Sequence, residues 1–335
     1  MSGLSGPERT QWRSSVAAVV ARCASGGAWD ALFDLGVLDT GGLEDLAVAI
    51  EECGAVTVAT PLLGHVFGLR ALYCAPASPI RDRLVDGGVS GRERLALAAG
   101  GISATPIGDD WALHGETRYV LECGAADWLV VEATTSDGPG AFVVPADAIG
   151  VTRRPLPTLD PSRVLWRADF HGAAATLLGM DTGRHVERLR SELATLVAAD
   201  SIGGARAVLG DAVEHARQRM QFGRPIGSFQ AVKHRLADVS SQLDGAVAAV
   251  GYALRRLDLG APDAALAASV AKLAAADAYL TAAEGAIQTY GGIGFTWEHP
   301  AHIHLKRAYT NSQLAGGAAL HLDLVADRAG IGSYT

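Results

Sequence analysis

The chain has few cysteines, no excess of positive charge and no long apolar run, and each of these absences argues against one class of protein. Only four of the 335 residues are cysteine, and they form no Cys-x-x-Cys pair, which predicts a reduced, intracellular protein. A net charge of −8 argues against binding of nucleic acid or an anionic membrane surface. No apolar run approaches the roughly 18 residues of a membrane span. We therefore expect a cytoplasmic protein that binds neither membrane nor nucleic acid.

The composition instead suits a compact protein with a sizeable core. Hydrophobic residues make up 49% of the chain and charged residues 19%, and this length favours two or three subdomains. The apolar stretch "SVAAVVA" near the N-terminus is followed at once by Arg22. We interpret it as part of an amphipathic helix and not as a signal peptide.

The spacing of apolar residues divides the chain into three regions. Residues 1–88 show helical spacing, with a helix stop at Gly36 and a new start capped near Thr40. Residues 89–172 alternate with a period of two, and "WLVVEA" and "AFVVPA" flank the hairpin signal "TTSDGPG". Residues 173–335 are again helical and rich in alanine, which allows close helix packing. The sequence predicts an N-terminal helical domain, a small antiparallel β domain (a sandwich or a barrel) and a C-terminal four-helix bundle.

One short stretch of the helical C-terminal region gathers cations and aromatic residues around a turn. In "RMQFGRPIGSFQ", Gly223 and Pro225 interrupt the helical pattern. Arg219, Phe222 and Arg224 are thereby grouped near a helix end, where arginine can bind phosphate with two hydrogen bonds and an aromatic ring can cover a flat ligand. The alternative is a solvated, arginine-rich turn whose phenylalanines pack inward.

A second motif, "QTYGGIGFTWEHP", follows an alanine-rich helix. Gly291, Gly292 and Gly294 allow the backbone to approach a ligand or another chain closely, and Gln288 supplies an amide. The motif differs from the dinucleotide fingerprint Gly-x-Gly-x-x-Gly because no strand precedes it. Taken alone, such a motif more often indicates a tight turn between two helices.

Together and in this order, the two motifs resemble those of the acyl-CoA dehydrogenase family. The resemblance extends to "HGETRYVLECGAADWLVV" in the β region and "WDALFDLGVL" near the start, so it covers nearly the whole chain. It implies the family's fold, FAD bound between subunits, and α,β-desaturation of an acyl-CoA thioester. A carboxylate of the family removes the α-proton while hydride passes to the flavin. The resemblance also implies an electron-transfer flavoprotein as partner.

The resemblance transfers cofactor-binding roles to six positions. These positions are Arg219, Gln221, Phe222, Gln288, Gly291 and Gly292. The arginine would meet the FAD pyrophosphate, and the adjacent glutamine and phenylalanine would lie near the adenylate half. The second glutamine and the glycine backbone would complete the adenine side. In the family these groups serve a flavin that is lodged mainly in the neighbouring subunit.

The chain departs from the family at the catalytic base. Ala315 stands where most members have the catalytic glutamate, and Leu193 occupies the position used by a minority. Glu192 is adjacent but would point roughly 100° away on a helix. We therefore assign no catalytic base, and Glu192 and Glu298 are kept as candidates for a relocated one.

The family's own flavin pocket is also incomplete. "LALAAGGISATPIGDDW" lacks the usual Thr-Glu-Pro loop, and Tyr119-Val120-Leu121 replaces a Trp-x-Thr sequence beside the flavin. The chain thus keeps groups that reach a neighbour's flavin and lacks groups that hold its own. It resembles the shortened, base-less β subunit of bacterial α2β2 dehydrogenases of sterol side-chain breakdown. A longer homologue as α subunit and a bulky acyl-CoA substrate are implied.

Two other functions stay open at this point. One is a flavin-free descendant of the fold that acts as a structural partner or in non-redox chemistry. The other is a self-sufficient homomeric dehydrogenase with a relocated base. A metal site is not expected, because the spacing of His299, His302 and His304 does not place all three on one helix face.

Overall fold

The structure is a computed structural model, and it describes most of the chain. The described residues are 4–22, 28–39, 42–57, 60–108, 110–180, 184–297 and 299–331. Two predictions, the cap near Thr40 and the candidate base Glu298, lie outside these residues.

Five helices precede the sheet. They are α1 (Gly6–Arg22), α2 (Ala28–Asp34), α3 (Leu43–Val56), α4 (Leu62–Cys74) and α5 (Pro79–Val89). The apolar stretch near the N-terminus lies in α1, which buries Val16, Val19 and Val20. At the start of α5 the Ser78 hydroxyl accepts a hydrogen bond from the Arg81 amide, as expected of a helix cap. The helical character predicted for this region is confirmed.

Six strands form the middle region. They are β1 (Leu95–Ile107), β2 (Asp110–Leu121), β3 (Trp128–Thr135), β4 (Gly138–Pro145), β5 (Val151–Pro155) and β6 (Leu165–Met180). The order is β2-β1-β3-β4-β6-β5, and an additional pairing of β2 with β6 closes five of the strands into a barrel. The predicted hairpin is present, with Thr135 opposite Gly138 across a two-residue turn.

The prediction of a purely antiparallel sheet is wrong, because β1 and β3 run parallel, with Leu95 opposite Trp128. After the β1–β2 hairpin, the free edge of β2 is taken by the long strand β6. The chain therefore returns through a short 3₁₀ turn, Cys123–Ala125, and β3 joins the other edge of β1 in the same direction. Strand β6 also continues to Met180, past the boundary predicted at residue 172.

Five helices complete the described chain. They are α6 (Arg184–Gln218), α7 (Gln230–Asp258), α8 (Ala264–Tyr290), α9 (Ala301–Gln313) and α10 (Ala318–Arg328). Helix α6 has 35 residues, so it is about 50 Å long. It and residues 264–295 are long and apolar enough to cross a membrane, but 83% of the apolar part of α6 is buried within the protein. Helix α6 is therefore a core helix of the bundle.

A buried charge cluster connects the barrel to the bundle. Asp200 of α6 accepts two hydrogen bonds from the Arg307 guanidinium of α9, at 3.1 and 2.5 Å. The Arg163 guanidinium, in the segment before β6, lies 2.7 Å from the same carboxylate, and the Asn311 amide donates to it at 2.6 Å. Burial alone would raise the pKa of Asp200, but the two arginines outweigh it and hold that pKa well below its ordinary range. The cluster therefore stays charged and holds three segments together.

A buried histidine makes the fold sensitive to acid. His65 accepts a hydrogen bond from the Leu95 amide through Nδ1 (3.0 Å) and donates from Nε2 to the Gly88 carbonyl (3.1 Å). This pattern requires the neutral ring, and desolvation lowers the pKa of His65 to about 4. The unfolded chain, with an ordinary pKa of about 6.5, binds the proton more readily. Stability from His65 is therefore fully present above pH ~6.5 and is lost as pH falls towards 4.

We expect His65→Asn to flatten the loss of stability between pH ~6.5 and 4. The expected contribution of His65 to that loss is at most about 3 kcal/mol. Urea unfolding at several pH values measures it, and His114→Gln on the exposed side of β2 is the matched control. An unchanged pH slope in His65→Asn would contradict this assignment.

Candidate site at the C-terminal end of helix α6

The cation- and aromatic-rich stretch forms a small hairpin directly after α6. Strands β7 (Met220–Gln221) and β8 (Arg224–Pro225) pair across a turn formed by Phe222 and Gly223. Both turn residues have positive φ, 50° and 75°, as a tight hairpin turn requires. Glycine adopts this conformation freely, whereas phenylalanine does so at a cost. The turn therefore holds the backbone of Phe222 in an unfavoured conformation, which fixes the direction in which its ring leaves the chain.

The backbone of Arg219 is held at both ends while its side chain is exposed. Its amide donates to the His215 carbonyl and its carbonyl accepts from the Ile226 amide, both at 2.8 Å. Within the described part of the chain, the Arg219 guanidinium makes no ion pair. Gln221 is also exposed, and Phe222 is 91% exposed. The alternative of inward-packed phenylalanines thus fails for Phe222.

Phe229 behaves differently from Phe222. It is half-buried, its ring lies 6.2 Å from that of Phe222, and the Arg224 guanidinium lies 4.1 Å above it. This geometry is a cation–π contact. Arg224 therefore already has a partner within the chain, and Arg219 is the cation of this hairpin that remains available to an anion.

The second motif forms an open turn at the end of α8. Gln288 is exposed in the last turn of the helix, and a 3₁₀ turn, Gly291–Phe295, follows. Gly291 has a φ of +67°, and a Cβ atom on Gly291 or Gly292 would meet no atom within 4 Å. The glycine backbone therefore faces open space, where a ligand or another chain can approach it.

Tertiary contacts bring the two motifs together. The ring of His215, one turn before Arg219, lies 4.7 Å from the ring of Tyr290. Tyr290 is the last residue of α8, between Gln288 and Gly291, and its ring lies 3.9 Å from that of His299. His215 and Tyr290 were not predicted from the sequence, and His299 was considered only as a metal ligand, although the position of His215 four residues before the arginine was a usable signal. The hairpin and the glycine turn thus form one exposed surface.

The positions of the family's catalytic base carry no free carboxylate in the described residues. Ala315 is half-buried with a φ of 57°, and Leu193 is 7% exposed in the core. Glu192 is fully buried, and its two carboxylate oxygens lie 2.7 Å from Arg70 and 2.9 Å from Arg188. Proton abstraction by Glu192 would have to break these ion pairs.

The strand end that faces the flavin in the family is covered by the chain itself. Val120 and Leu121 are 3% and 5% exposed. Helix α4 lies in backbone contact with them, since a Cβ atom on Gly64 would come within 2.8 Å of the Leu121 carbonyl oxygen. Tyr119 is 65% exposed with a φ of 66°. These residues offer neither the missing threonine hydroxyl nor space at the strand end, so they do not fit a flavin of the chain's own.

A cavity of about 470 Å³ lies at the opposite end of α6. It is lined by α4, strands of the barrel and the first turns of α6, and its polar lining includes Cys74, Glu132, His185 and Arg190. Its volume is typical of a small-molecule site. Arg190 and Arg219 are about 43 Å apart along the helix. The sequence analysis did not identify this cavity, and the hairpin is not part of it.

The histidines near α9 have structural contacts. His304 Nδ1 lies 2.9 Å from the Tyr279 hydroxyl, and His302 Nδ1 lies 2.7 Å from the His299 carbonyl oxygen. Desolvation lowers the pKa of His304 to about 4. Among the residues that the structure describes, no group of three or more histidines, cysteines or carboxylates has an arrangement suited to a metal ion.

Comparison with known proteins assigns the family. Residues 185–330 match the family described as acyl-CoA dehydrogenase, C-terminal domain. The chain is 36% identical over 275 residues to the acyl-CoA dehydrogenase IpdE2 of Mycobacterium tuberculosis, covering 82% of this chain and 74% of that protein. A solved structure of a variant of the Tcur3481–Tcur3483 steroid ACAD has a TM-score of 0.90 at 27% identity, over 98% and 99% of the two chains.

The solved ChsE4–ChsE5 complex from Mycobacterium tuberculosis gives a TM-score of 0.90 at 24% identity, over 98% of this chain and 99% of that one, which shows a shared fold. The helical region, the barrel and the bundle described above are therefore those of a known architecture. On the identity and coverage of these relatives, the chain belongs to the acyl-CoA dehydrogenase family.

Proposed function

We propose that this chain is a subunit of an FAD-dependent acyl-CoA dehydrogenase and completes the FAD site of a longer partner subunit. The observation that carries the proposal is that the chain keeps an exposed candidate cofactor-binding surface but lacks the family's catalytic base. The exposed hairpin at Arg219 is available to a cofactor outside the chain, whereas the family's base positions are alanine and leucine. The flavin, when bound, accepts hydride during α,β-desaturation of the acyl-CoA. An electron-transfer flavoprotein is the proposed electron acceptor.

The chemistry of the exposed groups supports a role in binding the cofactor. Arg219 can donate two hydrogen bonds to a pyrophosphate, and it has no competing ion pair in the described chain. The ring of Phe222, held out at 91% exposure, would bury a large apolar surface on contact with a flat ring and a partner. Gln221, Gln288 and the open backbone of Gly291 and Gly292 would supply hydrogen bonds on the adenine side.

The nature of the substrate rests on similarity. One similar solved protein is named the Tcur3481–Tcur3483 steroid ACAD, and another is the ChsE4–ChsE5 complex. We propose by analogy that the partner is a longer acyl-CoA dehydrogenase and that the acyl group is bulky, such as a steroid side chain. The cavity of about 470 Å³ near α4 is compatible with a small-molecule ligand, but it lies far from the hairpin.

The Arg219→Ala variant is expected to weaken retention of FAD by the complex about 10- to 100-fold, because a hydrogen-bonded charge pair is lost. The chain would be co-expressed with a longer homologue, and flavin absorbance per protein would be measured after repeated gel filtration. Arg217→Ala removes a neighbouring exposed cation that pairs with Glu214, so it is the matched control. Wild-type retention of FAD by Arg219→Ala would contradict the role of Arg219.

The same experiment separates the two alternatives. Flavin binding and dehydrogenase activity by the chain alone would support a self-sufficient enzyme and contradict the proposal. A complex that forms without flavin would support the flavin-free alternative. Flavin that appears only on co-expression, together with an equal ratio of the two subunits, is the result we expect.

A further inference from the structure

We propose that the stacked rings of His215, Tyr290 and His299 position the Arg219 hairpin against the glycine turn. In this role His215 is a positioning residue for FAD binding and does not itself touch the cofactor. The inference rests on the proposed function, because it names what holds the two parts of that site in register.

Each ring comes from a different segment of the chain. His215 lies in the last turn of α6, Tyr290 ends α8, and His299 precedes α9. The ring centroids are 4.7 Å apart in the first pair and 3.9 Å apart in the second, with interplanar angles of 59° and 45°. The first distance lies in the range at which aromatic rings attract one another beyond their burial, and the second pair is in closer contact. Tyr290, at 9% exposure, is the fixed central ring.

The stack is connected directly to the hairpin through the backbone. The carbonyl of His215 accepts the hydrogen bond from the Arg219 amide, and the carbonyl of Arg219 accepts that of Ile226, where the hairpin ends. A Cβ atom on Gly227 would lie 2.9 Å from the Ala216 carbonyl oxygen, so the returning chain packs on the same helical turn. A shift of the last turn of α6 therefore moves both strands of the hairpin.

On the other side, the stack is connected to the glycine turn. Tyr290 immediately precedes Gly291, and the Gly291 amide donates to the Ile287 carbonyl one turn back in α8. The direction of the open backbone at Gly291 and Gly292 thus follows from where the Tyr290 ring is held. The stack adds a direct side-chain contact near the hairpin to the packing of α6 on α8, and packing of long helices constrains their ends least.

The charges around His215 favour its uncharged ring. Arg219, directly after the end of the same helix, and His299 across the stack both oppose a positive charge on it, and its pKa is lowered mainly by desolvation and then by these two groups. The carboxylates of Asp211 and Glu214 lie on α6 within one turn. An uncharged ring packs on Tyr290 without the desolvation cost of an imidazolium. Phenylalanine should therefore substitute for His215 in this contact, and alanine should not.

The test compares His215→Ala with His215→Phe in the complex with the longer partner. We expect His215→Ala to weaken FAD retention about 3- to 10-fold, the range of a lost ring pair, and His215→Phe to restore it to within about twofold. In the chain alone, hydrogen exchange of the Ile226 amide should accelerate in His215→Ala and return to the wild-type rate in His215→Phe. This second readout needs no flavin.

The outcomes distinguish failure of this inference from failure of the proposed function. If Arg219→Ala weakens FAD retention and His215→Ala does not, the ring stack has no positioning role. If neither variant changes retention, the proposed FAD role fails, and the exchange rate of Ile226 alone decides whether the stack holds the hairpin. Equal losses in His215→Ala and His215→Phe would also overturn the inference, because rescue by a ring is its distinguishing result.

Discussion

Replacement of Asp200 by alanine is expected to lower the free energy of unfolding by about 3–5 kcal/mol, a large part of the stability of an ordinary domain. The carboxylate is 1% exposed and is the common counter-charge of Arg307 and Arg163. Without it, two guanidinium groups at 3% and 5% exposure remain buried and uncompensated. Chemical denaturation of the purified chain measures the loss as a lower midpoint at unchanged slope.

Two comparisons make this result specific to the buried charge. Asp200→Asn keeps one acceptor oxygen but removes the charge and replaces the other oxygen with an NH2 donor that faces donors, so it should also destabilise. Asp323→Ala, at an exposed position of α10, should change stability by no more than about 0.5 kcal/mol. Added salt should do little to the effect at Asp200, since a buried pair is weakly screened. A loss below about 1 kcal/mol in Asp200→Ala would show that the cluster contributes little to the stability of the contact between the barrel and the bundle.

The pH dependence of the same cluster has a definite sign. The pKa of Asp200 is lower in the folded chain than its ordinary value, because the two arginines outweigh the desolvation that would raise it. Its contribution is therefore fully present above an unfolded-state pKa of about 3.9 and is lost as pH falls below that value. His65 acts at higher pH, so acid should destabilise the chain first through His65 and then through Asp200.

The Gly203→Ala variant is expected to destabilise the chain by about 3 kcal/mol, since it forces two helices apart. A Cβ atom on Gly203 of α6 would lie 1.8 Å from the carbonyl oxygen of Glu51 in α3. The contact is reciprocal, because a Cβ atom on Gly54 would lie 2.3 Å from the Asp200 carbonyl oxygen. The obstructing atoms belong to the backbone and cannot rotate away, as a flexible side chain could. Thermal and urea unfolding would both report the loss.

The same helix provides a control for the glycine substitution. Gly210 is exposed on α6, and a Cβ atom there would meet nothing within 4 Å. Gly210→Ala should therefore stabilise the chain by about 0.5–1 kcal/mol through helix propensity alone. Opposite signs for the two variants would establish that helix crossing, and not helix propensity, determines the effect at Gly203. A neutral Gly203→Ala would show that α3 and α6 can separate without cost.

Most of the local structure could be predicted from the sequence, whereas the end of β6 and the pairings between distant segments could not. Alternation of apolar residues correctly indicated the hairpin at Thr135 and Gly138. The parallel pairing of Leu95 with Trp128 had no local signal, because the alternation of apolar residues along a strand is the same beside a parallel and an antiparallel neighbour. Asp200 had no local signal either, because Arg307 is 107 residues away and Arg163 lies in the segment before β6.

For the candidate site too, the motifs could be recognised in the sequence, but the contacts between them could not be predicted. The resemblance of the two motifs to those of the family predicted that Arg219 and Gln288 both bind FAD. That prediction came from resemblance, and the chain alone could not show that the motifs meet. The contact between His215 and Tyr290 depends on how α6 and α8 end against one another, which is a property of helix packing. The ion pair of Glu192 with Arg70 depends likewise on the approach of α4 to α6, whereas its pair with Arg188 lies within one turn of α6.

By itself, the sequence determined the helical and extended regions, the breaks between them and the family resemblance, because these depend on periodicity and on short motifs of neighbouring residues. It also determined that Ala315 and Leu193 cannot act as a base. The tertiary structure alone decided that Phe222 points outward, that Glu192 is already paired, and that the hairpin and the glycine turn share one surface. These features arise from contacts between segments far apart in the chain, whose geometry is set by the close packing of whole helices and strands.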